Sequence, residues 1–162
     1  MDDVSAVIDR LFELKLNITT VESCTAGLIA TLLSEHPQAS QLLESGLVTY
    51  SVEAKMDLLG LSSELFEQYN LTSEPVAKSM ALGAAGRTRA NVIIAITGVL
   101  DSTAEPEIPA GTICFCWLFK TAQGEQHTFT ETQCFSGDFY SRRQQAAAFA
   151  LSRAVSFYEK YV

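Results

Sequence analysis

Histidine and basic charge are both scarce in this chain. Only two histidines, His36 and His127, occur in 162 residues. Neither falls at the end of a predicted strand, so no histidine base is at hand for a hydroxyl nucleophile. The cysteines Cys24, Cys114, Cys116 and Cys134 form no CxxC pair and have no histidine at zinc-finger spacing, which argues against a metal site. Cys114 and Cys116 share one face of a predicted strand and read as buried thiols rather than a disulfide. Lys and Arg number 11 against 19 Asp and Glu, a net charge of −8 that speaks against a nucleic-acid partner. A small anionic ligand stays compatible, because a few local donors can override the global field. No apolar run approaches the ~20 residues that span a bilayer. The start, Met1-Asp2-Asp3-Val4, lacks the basic opening of a signal peptide, so a cytoplasmic protein without a membrane partner is expected. No GxGxxG follows the first strand, and Tyr50 and Lys55 are one residue too far apart for the Tyr-x-x-x-Lys pair of short-chain dehydrogenases.

What is present describes an ordinary globular domain, 48% hydrophobic and 19% charged, expected to form a single unit over residues 1–162. Val4, Val7, Ile8, Leu11 and Leu14 recur at helical spacing. A β-branched run ends near Val21, and a helix is expected over 25–34, stopped by Pro37. Residues 45–51 have strand composition, and short helices follow over 52–59 and 62–69. Ser73-Glu74-Pro75 is a helix start, with Ser as cap and acid and Pro in the first turn. Val92-Ile93-Ile94-Ala95-Ile96 is apolar on both faces, as a central strand requires. Residues 112–119 and 126–135 form a hairpin pattern across Thr121-Ala122-Gln123-Gly124, and a long helix is expected over 140–158. Helices before, between and after strands predict a three-layer α/β/α sandwich with a mixed sheet containing an antiparallel hairpin.

Ligands of such sheets collect beyond the carboxyl ends of parallel strands. Three clusters fall there: Ser23 to Gly27, Tyr50 to Lys55, and Thr97-Gly98. The first is a strand-to-helix turn, where free N–H groups and a helix dipole can bind an anion or a developing oxyanion. From local pattern alone, Ser23 or Thr25 reads as a helix cap. Ser23 as a nucleophile needs a base, and Lys55 serves if burial lowers its pKa, with Tyr50 relaying a proton or holding the lysine.

Glu22-Ser23-Cys24-Thr25-Ala26-Gly27, Gly46-Leu47-Val48-Thr49-Tyr50-Ser51-Val52-Glu53-Ala54-Lys55, Ile96-Thr97-Gly98 and Pro109-Ala110-Gly111-Thr112 resemble, in order, the motifs of the CinA C-terminal domain family. The characterised members of that family are nicotinamide mononucleotide amidohydrolases. The resemblance covers nearly the whole chain and implies an α/β/α fold and hydrolysis of the nucleotide carboxamide to nicotinate mononucleotide and ammonia, without metal or cofactor. It implies Ser23 as nucleophile and Tyr50 and Lys55 as proton-transfer partners. It also implies a pocket lined by Thr25, Gly27, Ser40, Gly46, Thr97, Gly98 and Arg143, the last suited to a phosphate. Self-association into a homo-oligomer is expected on the same basis.

The chain departs from the family pattern at Ala26, Gln38 and Phe139, where the family has Gly, Gly and Arg. The Gly- and Pro-rich loop that follows Thr97-Gly98 in the family is replaced here by residues 99–108, with acids at Asp101, Glu105 and Glu107. Two unit charges ~6 Å apart at an effective dielectric of ~20 repel by about 3 kcal/mol, so acids facing the pocket would weaken nucleotide binding. With Leu100 and Ser102 interposed, low activity on nicotinamide mononucleotide is expected. A lapsed paralogue that keeps the fold, or an amidase with a changed substrate, are the alternatives.

Overall fold

In β1 (Ile18–Glu22) every residue is buried, although two are threonines and one is a glutamate. The strand lies second in a five-stranded sheet of order β2-β1-β3-β4-β5, where β2 is Leu43–Val48, β3 Val92–Gly98, β4 Thr112–Lys120 and β5 Gln126–Cys134. The computed structural model describes residues 3–101 and 105–162. β1 pairs in parallel with β2 and β3, while β4 and β5 run antiparallel as the expected hairpin. The carboxyl ends of the three parallel strands therefore share one edge, with Glu22 level with Val48 and Ile96.

Strand alternation divides the core in two. Ile18, Ile94, Ile96, Phe115, Trp117 and Phe119 face α1 (Val4–Glu13), α2 (Leu28–Ser34) and α7 (Phe139–Tyr161). The stripe Ala146, Ala147, Ala150 and Ala154 lets α7 lie close to the sheet, and the Trp117 indole N–H donates to the Ala150 carbonyl at 2.8 Å. Val21, Ile93, Ala95, Cys114, Cys116 and Leu118 face α6 (Glu74–Ala85), with Leu59 of α4 (Val52–Leu59) beside them. Helices on both faces of a mixed sheet make the expected α/β/α sandwich. No helix among the described residues is long and apolar enough to cross a membrane.

The differences from expectation are local. α2 begins at Leu28 rather than 25, because Ala26 (φ 49) and Gly27 (φ 94) adopt left-handed backbone that interrupts the helix. The four-residue α3 (Ala39–Leu42) follows Pro37 and leads directly into β2, which starts at Leu43 rather than Ser45. α5 (Ser63–Gln68) occupies the expected segment, and α7 runs to Tyr161.

α1 ends on Lys15 at φ 56, with the Lys15 and Leu16 N–H groups donating back to Phe12 and Leu11. This left-handed position favours glycine, and Lys15 is exposed. Lys15→Gly should stabilise the fold by about 0.5–1 kcal/mol. A lower midpoint in urea unfolding would contradict that reading of the helix end.

Candidate active site

At the end of β1, neighbouring residues serve opposite faces. Glu22 turns toward α2 and is fully buried. Its Oε2 accepts bonds from the Thr25 hydroxyl (2.6 Å) and the N–H groups of Gly27 (3.0 Å) and Ile29 (3.1 Å). Its Oε1 accepts from the Ala30 N–H at 2.9 Å. The amides that the turn was expected to offer to a ligand are thus largely taken by the chain's own carboxylate. The Cys24 and Thr25 N–H groups lie against the Cys24 sulfur instead.

Ser23 turns the other way, 6% exposed, with its N–H on the Ile96 carbonyl at 3.2 Å. Ser51 caps α4 by accepting the Ala54 N–H, and this start places Lys55 one turn before Leu59 on the buried side. The fully buried Lys55 amine lies 3.0 Å from Ser23 Oγ and donates to the carbonyls of Thr49 (2.6 Å) and Tyr50 (3.3 Å). Burial lowers its pKa from 10.5 to about 8, with nearby Cys24 acting weakly in the opposite sense. A neutral amine retains two N–H donors, enough for both carbonyls, and its lone pair is left to accept the Ser23 proton. Cys24, next in sequence, is no rival nucleophile: burial pushes its thiol up to about 12.

The structure brings Ser23 and Lys55 together but not Tyr50. Tyr50 is 63% exposed, and its hydrogen-bond contact with Lys55 is through the backbone carbonyl, so the phenol takes no part in the pair within this chain. Thr25 and Gly27 serve the Glu22 cluster rather than lining a pocket. Ser40 is exposed on α3 ahead of β2, and the pairing of Leu43 with Ile18 puts it beyond the amino ends of the parallel strands, opposite the site. Gly46 sits mid-strand, where a Cβ would lie 2.9 Å from the Ala30 Cβ, so its role is packing. Thr97 is buried and donates to the Leu71 carbonyl at 3.2 Å, and a Cβ at Gly98 would strike Ile113. Arg143 reaches the turn, its Nε donating to the Thr25 carbonyl at 2.9 Å, while its terminal nitrogens have no partner among the described residues.

The rebuilt loop also behaves differently from expectation. Leu100 does not stand in a pocket: it is 4% exposed and joins the core beneath α7, because Arg142 Nη1 fastens its carbonyl at 2.8 Å. The Glu105 carboxylate accepts from the Thr72 hydroxyl and N–H. Ser102, which also entered that expectation, lies outside the described residues. Glu22 is the residue that sequence reasoning missed. Its signal was an acid in an otherwise β-branched run immediately before a turn of small residues.

Comparison with known proteins agrees with this fold. The family model of the CinA C-terminal domain matches residues 2–157. A Shigella flexneri protein named nicotinamide-nucleotide amidohydrolase PncC is 43% identical over 136 residues, 83% of this chain and 79% of its own length. A putative competence-damage inducible protein of Symbiobacterium thermophilum is 39% identical over 91% of this chain, which spans only 36% of that longer relative. Among solved structures, a CinA superfamily protein of Escherichia coli superposes with a TM-score of 0.84 at 36% identity, covering 95% of this chain and 87% of its own. Competence damage-inducible protein A of Klebsiella pneumoniae gives a TM-score of 0.89 at 27% identity, covering 99% of this chain and 100% of its own.

Because the folded pKa of Lys55 lies below its ordinary value, the unfolded chain binds the extra proton between about 8 and 10.5. Stability should therefore rise with pH across that window and carry the full penalty below it. Measured against Lys55→Met, which cancels other titrating groups, the wild type should gain about 3 kcal/mol over the interval. Parallel stability–pH curves for the two proteins would show that the amine is not depressed.

Proposed function

The chain belongs to the CinA C-terminal domain family, and we propose that it hydrolyses a carboxamide through a Ser23–Lys55 pair, with nicotinamide mononucleotide as substrate. The observation that carries this reading is the 3.0 Å approach of a buried lysine amine, its pKa brought down to about 8, to a serine hydroxyl. At neutral pH roughly a tenth of such an amine is unprotonated, and half is at its pKa.

Neutral Lys55 takes the Ser23 proton as Oγ attacks the carboxamide carbon. The carbonyl oxygen becomes an oxyanion, for which the Cys24 and Thr25 N–H groups, set against the weakly accepting Cys24 sulfur, are the nearest backbone donors in sequence. Lys55 then returns the proton to the departing nitrogen, the C–N bond breaks, and ammonia leaves an acyl ester on Ser23. Water, deprotonated by the same amine, cleaves the ester to the carboxylate and restores the serine. Each proton has a donor and an acceptor within the pair, so the cycle runs without histidine.

The Arg143 terminal nitrogens, at the rim of the same turn, suit the substrate phosphate. Exposed Val48 and Tyr50 at the end of β2, and Phe139 and Tyr140 at the start of α7, leave apolar surface near these elements. Such a surface fits both a pyridine ring and a second copy of the chain, and self-association belongs to the same proposal.

Ammonia release from nicotinamide mononucleotide tests the activity. Ser23→Ala and Lys55→Met should each lower kcat by at least about a hundredfold. The wild-type kcat/KM should rise with pH through an apparent pKa near 8. Turnover that survives Ser23→Ala, or none from nicotinamide mononucleotide at any pH, would overturn the assignment.

A further inference from the structure

Glu22 has no part in the proton transfers above, yet it is among the most fully bonded side chains of the site. It is buried, no ion pair reaches it among the described residues, and four donors converge on its two oxygens. A buried carboxylate is strongly unfavourable unless it is hydrogen-bonded in this way, so the cluster is a built feature. The donors come from both the turn and the first residues of α2. The carboxylate therefore ties the 23–27 segment to the helix while meeting the positive end of the helix dipole.

The consequence falls on Ser23. Its N–H is fixed to Ile96 on β3, and its carbonyl accepts the Ala26 N–H at 3.0 Å. Thr25 is held from inside by Glu22 through its hydroxyl and from outside by Arg143 through its carbonyl. Ala26 and Gly27 adopt left-handed backbone between these anchors. A free Ala in that conformation is unfavourable, so the turn needs fastening to persist.

We infer that Glu22 is a positioning residue, whose carboxylate locks the nucleophile turn so that Ser23 Oγ stays within reach of Lys55. This rests on the Ser23–Lys55 reading, and the test separates the two.

The probe is a fluorophosphonate: Ser23 Oγ bonds to phosphorus, fluoride leaves, and the serine proton passes to Lys55. Its labelling rate constant, taken per folded molecule, reads nucleophilicity without reference to the natural substrate. Glu22→Gln turns an amide NH2 against at least one N–H donor and removes the charge, and should label about tenfold more slowly or worse. Thr25→Val deletes one of the four bonds and should slow labelling about threefold. In both variants the rise of the rate through pH about 8 should persist, because burial is the leading cause of the lowered Lys55 pKa and Glu22 is not among its causes. A purely structural role would reduce the folded fraction and leave the rate per folded molecule untouched. Wild-type rates in these variants would overturn the positioning role alone, whereas no labelling of wild-type Ser23 would overturn the dyad itself. If Glu22→Gln does not fold, Thr25→Val decides: threefold slowing supports the inference, and an unchanged rate refutes it.

Discussion

Burying an ammonium group without a counter-ion is among the least favourable things a fold can do, and this domain does it at Lys55. The amine sits on the same side of α4 as Leu59, with three oxygens around it and, among the described residues, no carboxylate bonded to it. A salt bridge would have held the charge and kept the pKa high. Two carbonyls and a hydroxyl bring no full negative charge to offset the loss of water, so desolvation decides the outcome. The parallel pairing of β1 and β2 is arranged to supply that environment, since it brings Ser23 and Thr49 to one sheet edge ahead of α4.

The second constraint is the sidedness of a strand end. With a period of two, Glu22 and Ser23 cannot face the same layer. One becomes the buried anchor of α2 and the other meets Lys55. The strand-to-helix turn, with the geometry of an anion site, is satisfied from within by a carboxylate. In the proposed reaction, holding the nucleophile and holding the substrate's charge fall to different groups, the second to Arg143 of α7.

Much of this architecture was legible in the residues. The double-sided apolar run of β3, the hairpin turn before β5 and the Ser73 cap of α6 each have a local physical cause, and each element formed where expected. The failures are equally specific. α3 spans four residues, too few for periodicity to register. Leu100, read as interposed before the ligand, is buried instead, against α7, which follows much later in the chain. Tyr50 had the right strand end, yet its side chain points to solvent and its carbonyl does the holding, a distinction no side-chain pattern encodes. Lys55 carried an overlooked signal: a lysine on the buried stripe of a short helix, four residues before Leu59. Glu22 was obscure because most of its partners are backbone amides five to eight residues downstream, visible only once the turn is closed.

The account stands or falls on the protonation of one side chain. A carbon-detected NMR titration of the Lys55 Cε resonance, assigned by its loss in Lys55→Met, measures that quantity without substrate, inhibitor or unfolding. A midpoint near 8 is the predicted result. A midpoint at the ordinary value of 10.5 would mean that the amine stays charged at neutral pH and cannot take the Ser23 proton.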